Sequence, residues 1–458
     1  MKLKNRFAGV SIVLAVVPLL AACFFVGVGA YNSGKDALRN EVENNLISRR
    51  NMKKAELLSY LSTIEKQVTS QAFSSMFIDA ARELQSTYRL LPEEVEFHSD
   101  DGEKILNYYT EEFLPNYQTL NAGKQLDMQA LLAQIDATGV ALQARYIADN
   151  PNPLGEKDGL DSANDNTSYS QAHLKYHPAI RHFLEQFGYY DIFIVEPNNG
   201  TVIYSVFKEL DFATSLVNGP YRNTGLAEAF RRGMELGNQR KAVFTEFEPY
   251  LPSYEGTASF VASPIIENGE RIAILVFQMP IDEINSLMTF DGKWQEFGLG
   301  ASGETYLIGS DKKLLSNSRF FIEDKAGFLE SQQASNLSEQ TLSIIDNKDT
   351  PIGILPIDSE GVNEALAGET GFKIFEDYRG VPVASAYTPV NYANFHWGIL
   401  SEIDEAEAFA AIGALKNQIF YSAVSFALLA LVVAALVGYW LARKIATPIV
   451  DTSKKSRL

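Results

Sequence analysis

The sequence predicts an α+β protein in which a long N-terminal helix and two tandem antiparallel-sheet modules lie between two membrane-spanning helices. Three observations lead to this prediction. Two stretches of 24 residues, 7–30 and 419–442, contain no Asp, Glu, Lys, Arg or His. Apolar residues recur at spacings of three and four within 31–77, as on one face of a helix. Two later regions, 186–285 and 298–404, alternate apolar runs with Gly, Asn and Asp turns, which is typical of strands and hairpins.

Length and composition exclude several classes of protein. A chain of 458 residues has room for two or three domains, and 46% hydrophobic residues suffice for packed cores. The net charge of −18 argues against a nucleic-acid partner, because phosphate contacts need clustered Lys and Arg. The single cysteine, Cys23, excludes disulfide frameworks and thiolate zinc sites.

The two apolar stretches have the length and flanks of membrane spans. A 24-residue helix is roughly 36 Å long, against a hydrocarbon core of roughly 30 Å. The short tail 1–6 has a net charge of +3 and 443–458 a net charge of +4. Since the whole chain has a net charge of −18, residues 31–418 have a net charge of −25. Because cytoplasmic flanks are rich in Lys and Arg, we expect both termini in the cytoplasm of a bacterial cell. Residues 31–418 are then periplasmic or extracellular, and the chain is a multi-pass protein of the inner (plasma) membrane.

A lipoprotein is the alternative for the N-terminus. Leu20-Ala21-Ala22-Cys23 follows a basic start and an apolar core, as a lipoprotein cleavage box does. Cleavage there would lipidate Cys23 and remove the first span. The apolar sequence continues through Phe24, Phe25 and Val26, without the usual polar tether, which favours a retained anchor.

The helical part of the outside region has two sections. Segment 31–77 has almost no helix breakers, and we interpret it as a stalk that packs on its own domain and also on its twin in a homodimer; packing on its own domain alone is the alternative. Segment 78–185 is expected to be mainly helical. Its polar run 158–169 is rich in Asp and Asn but lacks the glutamate and glycine positions of a calcium loop, so we interpret it as a solvated loop.

The two sheet modules follow one plan. In each, short apolar runs are joined by turns such as Pro197-Asn198-Asn199-Gly200. We expect a first module, distal to the membrane, in 186–285 and a second, proximal module in 298–404. The predicted strands are 190–195, 201–206, 258–264, 272–278, 303–309, 314–316, 371–375, 381–388 and 396–403.

These residues carry a resemblance to a known family. Gly188-Tyr189-Tyr190-Asp191, Gly298-Leu299-Gly300-Ala301-Ser302-Gly303-Glu304-Thr305-Tyr306-Leu307 and Trp397-Gly398-Ile399-Leu400 resemble double Cache sensor ectodomains, whose modules are PAS-like. Arg443-Lys444-Ile445-Ala446-Thr447-Pro448-Ile449 looks like the opening of a HAMP signalling linker. The resemblance implies a chemoreceptor-like transducer that senses a small polar metabolite outside the cytoplasm, without the output domain. The alternative is a membrane-anchored binding protein that accompanies receptors and transmits no signal itself.

A candidate ligand site lies in the first module. Ligand pockets need aromatic walls and a few placed charges, and the segment 204–254 concentrates both. Arg222 has the forked guanidinium that binds carboxylates, while Tyr250 and Tyr254 would form walls; the alternative is that the tyrosines only fill the interior. The resemblance implies that in amino-acid sensors an Asp near the end of the last sheet strand meets the ligand amine, but this chain has Gln278 there. A neutral amide cannot form a charge pair with an ammonium, so this departure argues against an amino-acid ligand and leaves carboxylates, other small polar metabolites and amine-free ligands open. The candidate residues are Tyr204, Lys208, Asp211, Tyr221, Arg222, Tyr250, Tyr254 and Gln278.

Catalysis and cofactors find little support in the sequence. His173 and His177 are four residues apart and would share a helix face, but no ordered carboxylate or cysteine accompanies them. Phosphate-loop and nucleophile-elbow motifs are not found. The sequence therefore predicts a non-enzyme without cofactor or metal.

Overall fold

The computed structural model describes residues 2–95 and 98–441. The HAMP-like segment 443–458 lies outside the described residues. The fold is α+β, as the sequence predicts. The boundaries proposed for the individual domains stay predictions.

The helices are distributed along the whole described chain. Short π-helical turns at Tyr108–Phe113 and Ala144–Ala148 extend α3 and α6. The α-helices are α1 (Lys2–Ala72), α2 (Ser75–Glu94), α3 (Asp101–Asn107), α4 (Leu114–Leu120), α5 (Met128–Leu132), α6 (Ala137–Gln143), α7 (Ser168–Phe187), α8 (Gly225–Glu235), α9 (Ile281–Thr289), α10 (Arg319–Glu323), α11 (Lys325–Ala334), α12 (Glu339–Lys348), α13 (Glu360–Leu366), α14 (Glu405–Ala408) and α15 (Ala410–Leu441).

The strands form two main sheets and one small hairpin. The first sheet has the order β2-β1-β7-β6-β3 and the second has the order β8-β11-β10-β9, while β4 pairs with β5. The strands are β1 (Asp191–Val195), β2 (Val202–Ser205), β3 (Val243–Phe244), β4 (Glu248–Tyr250), β5 (Gly256–Ala258), β6 (Phe260–Glu267), β7 (Glu270–Gln278), β8 (Glu304–Ile308), β9 (Gly371–Glu376), β10 (Pro382–Tyr392) and β11 (Phe395–Asp404).

Two of the described helices are long and apolar enough to cross a membrane. They are Val16–Ala72 within α1 and Ala410–Trp440 within α15. Large apolar side chains such as Phe24, Phe25 and Leu436 are exposed on them. Exposed apolar surface on this scale is unusual in water-soluble monomers.

The C-terminal part of α1 packs within the domain that contains the sheets. Its apolar stripe, Leu57, Leu61, Ile64 and Val68, is buried in the core of the chain itself. These four residues of the predicted stalk are therefore buried in their own chain and cannot contact a second copy of it.

The first sheet has helices on both faces. Phe277 of β7 contacts Phe77 of α2 and Phe183 of α7, whereas Gly233 of α8 lies against Ile274 of the same strand. Side chains of neighbouring strand residues point to opposite faces, so α2 and α7 cover the Phe277 face and α8 covers the other. The loops beside α8 complete that second face.

The second sheet departs in one place from the sequence prediction. The run 314–316, predicted as a strand, makes only a single bridge between Leu314 and Ile308. The peptide N–H of Leu314 instead donates to the carbonyl of Leu355, at 3.1 Å. The loop after β8 therefore hydrogen-bonds both to the sheet and to the loop that contains Leu355.

Candidate ligand-binding site

The site is built on a row of three side chains at the ends of the three central strands of the first sheet. Asp191 of β1 lies directly opposite Gln278 of β7, and Gln278 lies directly opposite Phe260 of β6. Directly paired residues have Cβ atoms roughly 4.5–5.5 Å apart. The row therefore places a carboxyl, an amide and an aromatic ring side by side on the α8 face.

Only one of the two carboxyl oxygens of Asp191 accepts hydrogen bonds from the described residues, and its donors are backbone N–H groups. Its Oδ1 accepts hydrogen bonds from the peptide N–H groups of Ile192 at 2.6 Å, Val206 at 2.8 Å and Phe207 at 3.3 Å. Its Oδ2 is buried and has no hydrogen-bond partner within residues 2–95 and 98–441. Since buried polar atoms are nearly always paired, this oxygen is a candidate contact for a ligand.

Lys208 lies in the tight turn after β2. Its backbone has a positive φ of 58°, and its peptide N–H donates to Ser205 Oγ at 3.1 Å. The Lys208 ammonium donates to the Ser205 carbonyl and lies over the Tyr204 ring, 4.7 Å from its centre. A cation held over an aromatic face is stabilised by the ring quadrupole, so this buried lysine keeps a defined position.

Asp211 and the surrounding tyrosines form the interior of the site. The Tyr250 hydroxyl donates to Asp211 Oδ2, and the Tyr250 ring packs edge-on against Phe260, with centroids 5.0 Å apart. Asp211 Oδ1 and the Tyr221 hydroxyl are both buried without a partner in the described part of the chain. Two further polar atoms are thus left open close to the row.

Ser253 connects the sheet to the loop that carries Glu209. Gln278 Nε2 donates to Ser253 Oγ at 3.4 Å, and Ser253 Oγ donates to Glu209 Oε2 at 3.1 Å. Nearby, the Tyr254 ring stacks on Phe113, with centroids 4.6 Å apart. The Gln278 Oε1 atom has no partner among the residues that the structure describes.

The site contains more acidic than basic side chains, and burial shifts the pKa of each of them. Burial raises the pKa of Asp191 above its ordinary value, and repulsion from Asp211 raises it further. Burial raises the pKa of Asp211 to about 6, and burial together with the two aspartates raises the pKa of Glu209 well above its ordinary range. Burial lowers the pKa of Lys208. Burial therefore favours the neutral forms of the three carboxyl groups and of the lysine, and a positive charge added here would favour the ionised carboxylates.

Two cavities adjoin this cluster. A cavity of about 180 Å³ is lined by Lys208, Glu209 and Tyr254, and a larger cleft of about 740 Å³ is lined by Ser253 and Gln278. Tyr190 and Phe207 belong to the walls of both. The smaller cavity lies below the roughly 300–1,000 Å³ of drug-sized ligand sites, so it suits a small metabolite.

The structure brings together most of the residues singled out in the sequence. Asp211, Tyr221, Tyr250 and Gln278 lie in the cluster, and Lys208 and Tyr254 line the smaller cavity. Tyr204 does not join them, because its partner across the sheet is Ile194 and its side chain therefore points to the opposite face. Arg222 lies at the surface, where its guanidinium donates to Gln134 Oε1 at 2.7 Å.

The two candidate metal-ligating histidines of α7, His173 and His177, form hydrogen bonds with other residues of the chain. His177 contacts the Tyr204 hydroxyl at 2.8 Å through Nδ1 and the Asp158 carbonyl at 2.7 Å through Nε2. His173 Nδ1 lies 2.7 Å from the Asp161 carbonyl. Burial lowers the pKa of His177 to about 2, so the ring is neutral. Among the described residues, no group of three or more His, Cys, Asp or Glu is arranged to hold a metal ion.

Sequence reasoning missed three residues of the site. The sequence places Asp191 in a strand and in a motif that carries the family resemblance, but it does not single out Asp191, Glu209 or Ser253 as a ligand contact. The available signal was an acidic residue at the start of a fully apolar strand, Asp191-Ile192-Phe193-Ile194-Val195, since a buried carboxylate needs a special reason.

No protein-family model and no curated protein matches this sequence. Solved structures that are similar include the ligand-binding domain of the Pseudomonas aeruginosa PAO1 amino-acid chemoreceptor PctC in complex with GABA, at 12% identity, covering 47% of this chain and 74% of that one, with a TM-score of 0.28. The PctB domain of the same organism, in complex with L-Arg, has 16% identity, coverages of 53% and 78%, and a TM-score of 0.30. The domain of the Pseudomonas fluorescens chemoreceptor CtaA, in complex with L-leucine, has 13% identity, coverages of 67% and 97%, and a TM-score of 0.29.

Proposed function

We propose that this chain is a membrane-anchored receptor whose ectodomain binds a small polar metabolite that carries an amine. The observation that carries the proposal is that three acceptor atoms in one cluster, Asp191 Oδ2, Asp211 Oδ1 and Gln278 Oε1, are buried without a partner among the described residues. Leaving a buried acceptor unpaired costs about 1–3 kcal/mol, and a donor-rich ligand would recover that cost.

An ammonium group fits the chemistry of the cluster. It offers three N–H donors to the three open acceptors, and its charge offsets the excess of carboxyl groups. Ligand binding would then lower the raised pKa values of Asp191 and Asp211, since a nearby positive charge favours the ionised carboxylate. Lys157 and Lys208 line the smaller cavity. They would bind an anionic or polar end of the same ligand.

The apolar helices support a membrane anchor. Side chains such as Phe24, Phe25 and Leu436 are exposed on them, and lipid is the solvent that removes this cost. With the basic residues at both ends of the chain, we place both termini in the cytoplasm. Residues 31–418 are then outside the bacterial inner membrane.

Transmission is proposed to run through the last strand of the second sheet. In the sequence, β11 leads directly into α14 and α15. A ligand changes the receptor only through different affinities for two arrangements, and shifts of roughly 1–2 Å are typical of such helices. The receptor is proposed to act as a homodimer, and its role is binding and signalling rather than catalysis.

Thermal unfolding of the full chain in lipid nanodiscs tests the ligand class. GABA, L-arginine and L-leucine serve as amine-bearing probes, because they occupy the similar solved domains, and succinate serves as the amine-free probe. A ligand at 100 times its Kd stabilises by about 2.7 kcal/mol. The proposal expects at least one amine to raise Tm and succinate not to; a rise with succinate alone would contradict it.

A further inference from the structure

Two buried glutamates lie directly opposite each other in the second sheet. Glu304 of β8 pairs with Glu402 of β11 in the antiparallel register. Their relative exposures are only 2% and 1%. Directly opposed side chains share one face of a sheet, so two carboxyl groups are held close together out of water.

The register of this pair is fixed by its neighbours. One residue along, Thr305 pairs with Ser401, and the Thr305 hydroxyl donates to Ser401 Oγ at 3.1 Å. This contact lies on the opposite face of the sheet, because side chains alternate. A slip of one residue would place Thr and Ser in the acidic interior, so the carboxyl pair is a specified feature.

Each glutamate has a neutral hydrogen-bond donor. Glu304 Oε1 accepts from the Tyr378 hydroxyl at 2.6 Å, and Glu304 Oε2 accepts from the Arg319 peptide N–H at 3.1 Å. Glu402 Oε1 accepts from Ser385 Oγ on β10 at 2.7 Å. These donors orient the two carboxyl groups but supply no full positive charge.

The charged groups that pack around the pair have partners of their own. Arg379, in the turn before β10, pairs with Asp377 at 2.6 Å, and Arg319 of α10 pairs with Glu323 at 3.0 Å. Attraction to Arg379 lowers the pKa of Glu304, while repulsion from Asp377, a third carboxylate close to the pair, raises the pKa of both glutamates. Two neighbouring carboxylates that are buried together cannot both ionise easily, and they hold a proton instead.

We propose that the Glu304–Glu402 pair is a proton-binding site. The bound proton stabilises the β8–β11 pairing, and the pairing loosens when the proton leaves. The site lies on the last strand before α14 and α15 in the sequence. Protons outside the cell membrane would thus act on the second module, independently of any ligand in the first.

The titration range supports a function near neutral pH. Burial raises the pKa of Glu304 to about 7, and burial, with repulsion from Asp377 and Glu304, raises the pKa of Glu402 to about 8. The folded chain therefore binds protons more tightly than the unfolded chain, whose glutamates titrate near pH 4.3. Linkage then makes folding stability fall as pH rises from about 4 to about 8.

Hydrogen–deuterium exchange of the full chain in nanodiscs tests this proposal. We compare peptides covering β8 and β11 at about pH 6 and about pH 8.5, after correction for the chemical exchange rate. We expect at least about tenfold faster exchange at the higher pH, because linkage gives up to about tenfold per pH unit for each proton released. Glu402→Gln mimics the protonated acid and should reduce this difference without abolishing it, because burial alone raises the pKa of Glu304, whereas Glu376→Gln on the exposed side of β9 should retain it in full.

Infrared difference spectra supply a second measurement if Glu402→Gln fails to fold. The carbonyl band of protonated carboxyl groups should decrease between about pH 6 and about pH 8.5, and Glu304→Gln should reduce the amplitude of that decrease. Wild-type exchange in β11 that is independent of pH would overturn the proposal. So would an unchanged infrared amplitude in Glu304→Gln, or a pH dependence of undiminished size in folded Glu402→Gln.

Discussion

Asp191 lies directly opposite Gln278 where β1 pairs with β7. The resemblance noted in the sequence leads one to expect an aspartate at this strand end, where the chain has the neutral amide of Gln278. The structure provides a carboxyl group on the neighbouring strand, at the same level of the same face. A charge partner for a ligand amine is therefore available, although it comes from a different position in the chain.

The hydroxyls of Tyr250 and Tyr221 form a matched pair for mutation. Tyr250→Phe removes the donor to Asp211 Oδ2 and leaves a buried carboxyl without that hydrogen bond, which we expect to cost about 1–3 kcal/mol. Tyr221→Phe removes a hydroxyl that has no partner among the described residues, so the free energy of unfolding should stay within about 0.5 kcal/mol. Denaturant unfolding of both variants checks the prediction; equal losses would contradict the assigned hydrogen bonds.

Asp211 should make stability depend on pH in the acidic range. Its pKa is raised by burial to about 6, above the value near 3.9 of an unfolded aspartate. The folded state thus holds the proton more tightly, so the stabilising contribution is full below about pH 4 and is lost as pH rises to about 6. The difference corresponds to at most about 3 kcal/mol, at 1.36 kcal/mol per pKa unit.

The variant Asp211→Asn checks this assignment. Denaturant midpoints at about pH 4 and about pH 6.5 should differ less in the variant than in the wild type. Asp311→Asn, a change at an exposed position in the second module, should behave like the wild type. An unaltered pH difference in Asp211→Asn would show that another group is responsible.

Membrane topology can be mapped with single cysteines. In a Cys23→Ser background, Asn166→Cys should react with a membrane-impermeant maleimide in whole cells, because residue 166 belongs to the segment proposed to lie outside. Lys455→Cys should react only after the cells are opened, since its basic flank is expected in the cytoplasm. The reverse pattern would contradict the proposed orientation.

The sequence was informative where physical patterns are long or strongly apolar. The fully buried strand β1 and the long strands β6 and β7 were predicted because apolar runs end at clear turns, as at Glu267-Asn268-Gly269-Glu270. The edge strand β3 has only two residues, which is too short for a periodic signal. Its position depends on pairing with β6, a contact between distant parts of the chain.

The candidate site was predictable in composition but not in arrangement. The tyrosines and charges in 204–254 predict a site in this segment, and most of these side chains lie close together in the structure. Which side chains turn inward depends on the face of each strand, and this separated Tyr204 from Asp211. Arg222 was chosen for its guanidinium chemistry, whereas the turn at Gly219 places it at the surface, where it also donates to the Gly219 carbonyl at 2.9 Å.

Calorimetric titration of the full chain in nanodiscs with the best amine from the thermal screen tests the central claim most directly. Asp191→Asn keeps the shape of the side chain but removes the charge that would pair with an ammonium. We expect at least about a tenfold loss of affinity, or about 1.4 kcal/mol, while Asp311→Asn binds like the wild type. Equal affinities in the wild type and a folded Asp191→Asn variant would contradict a ligand site on the first sheet.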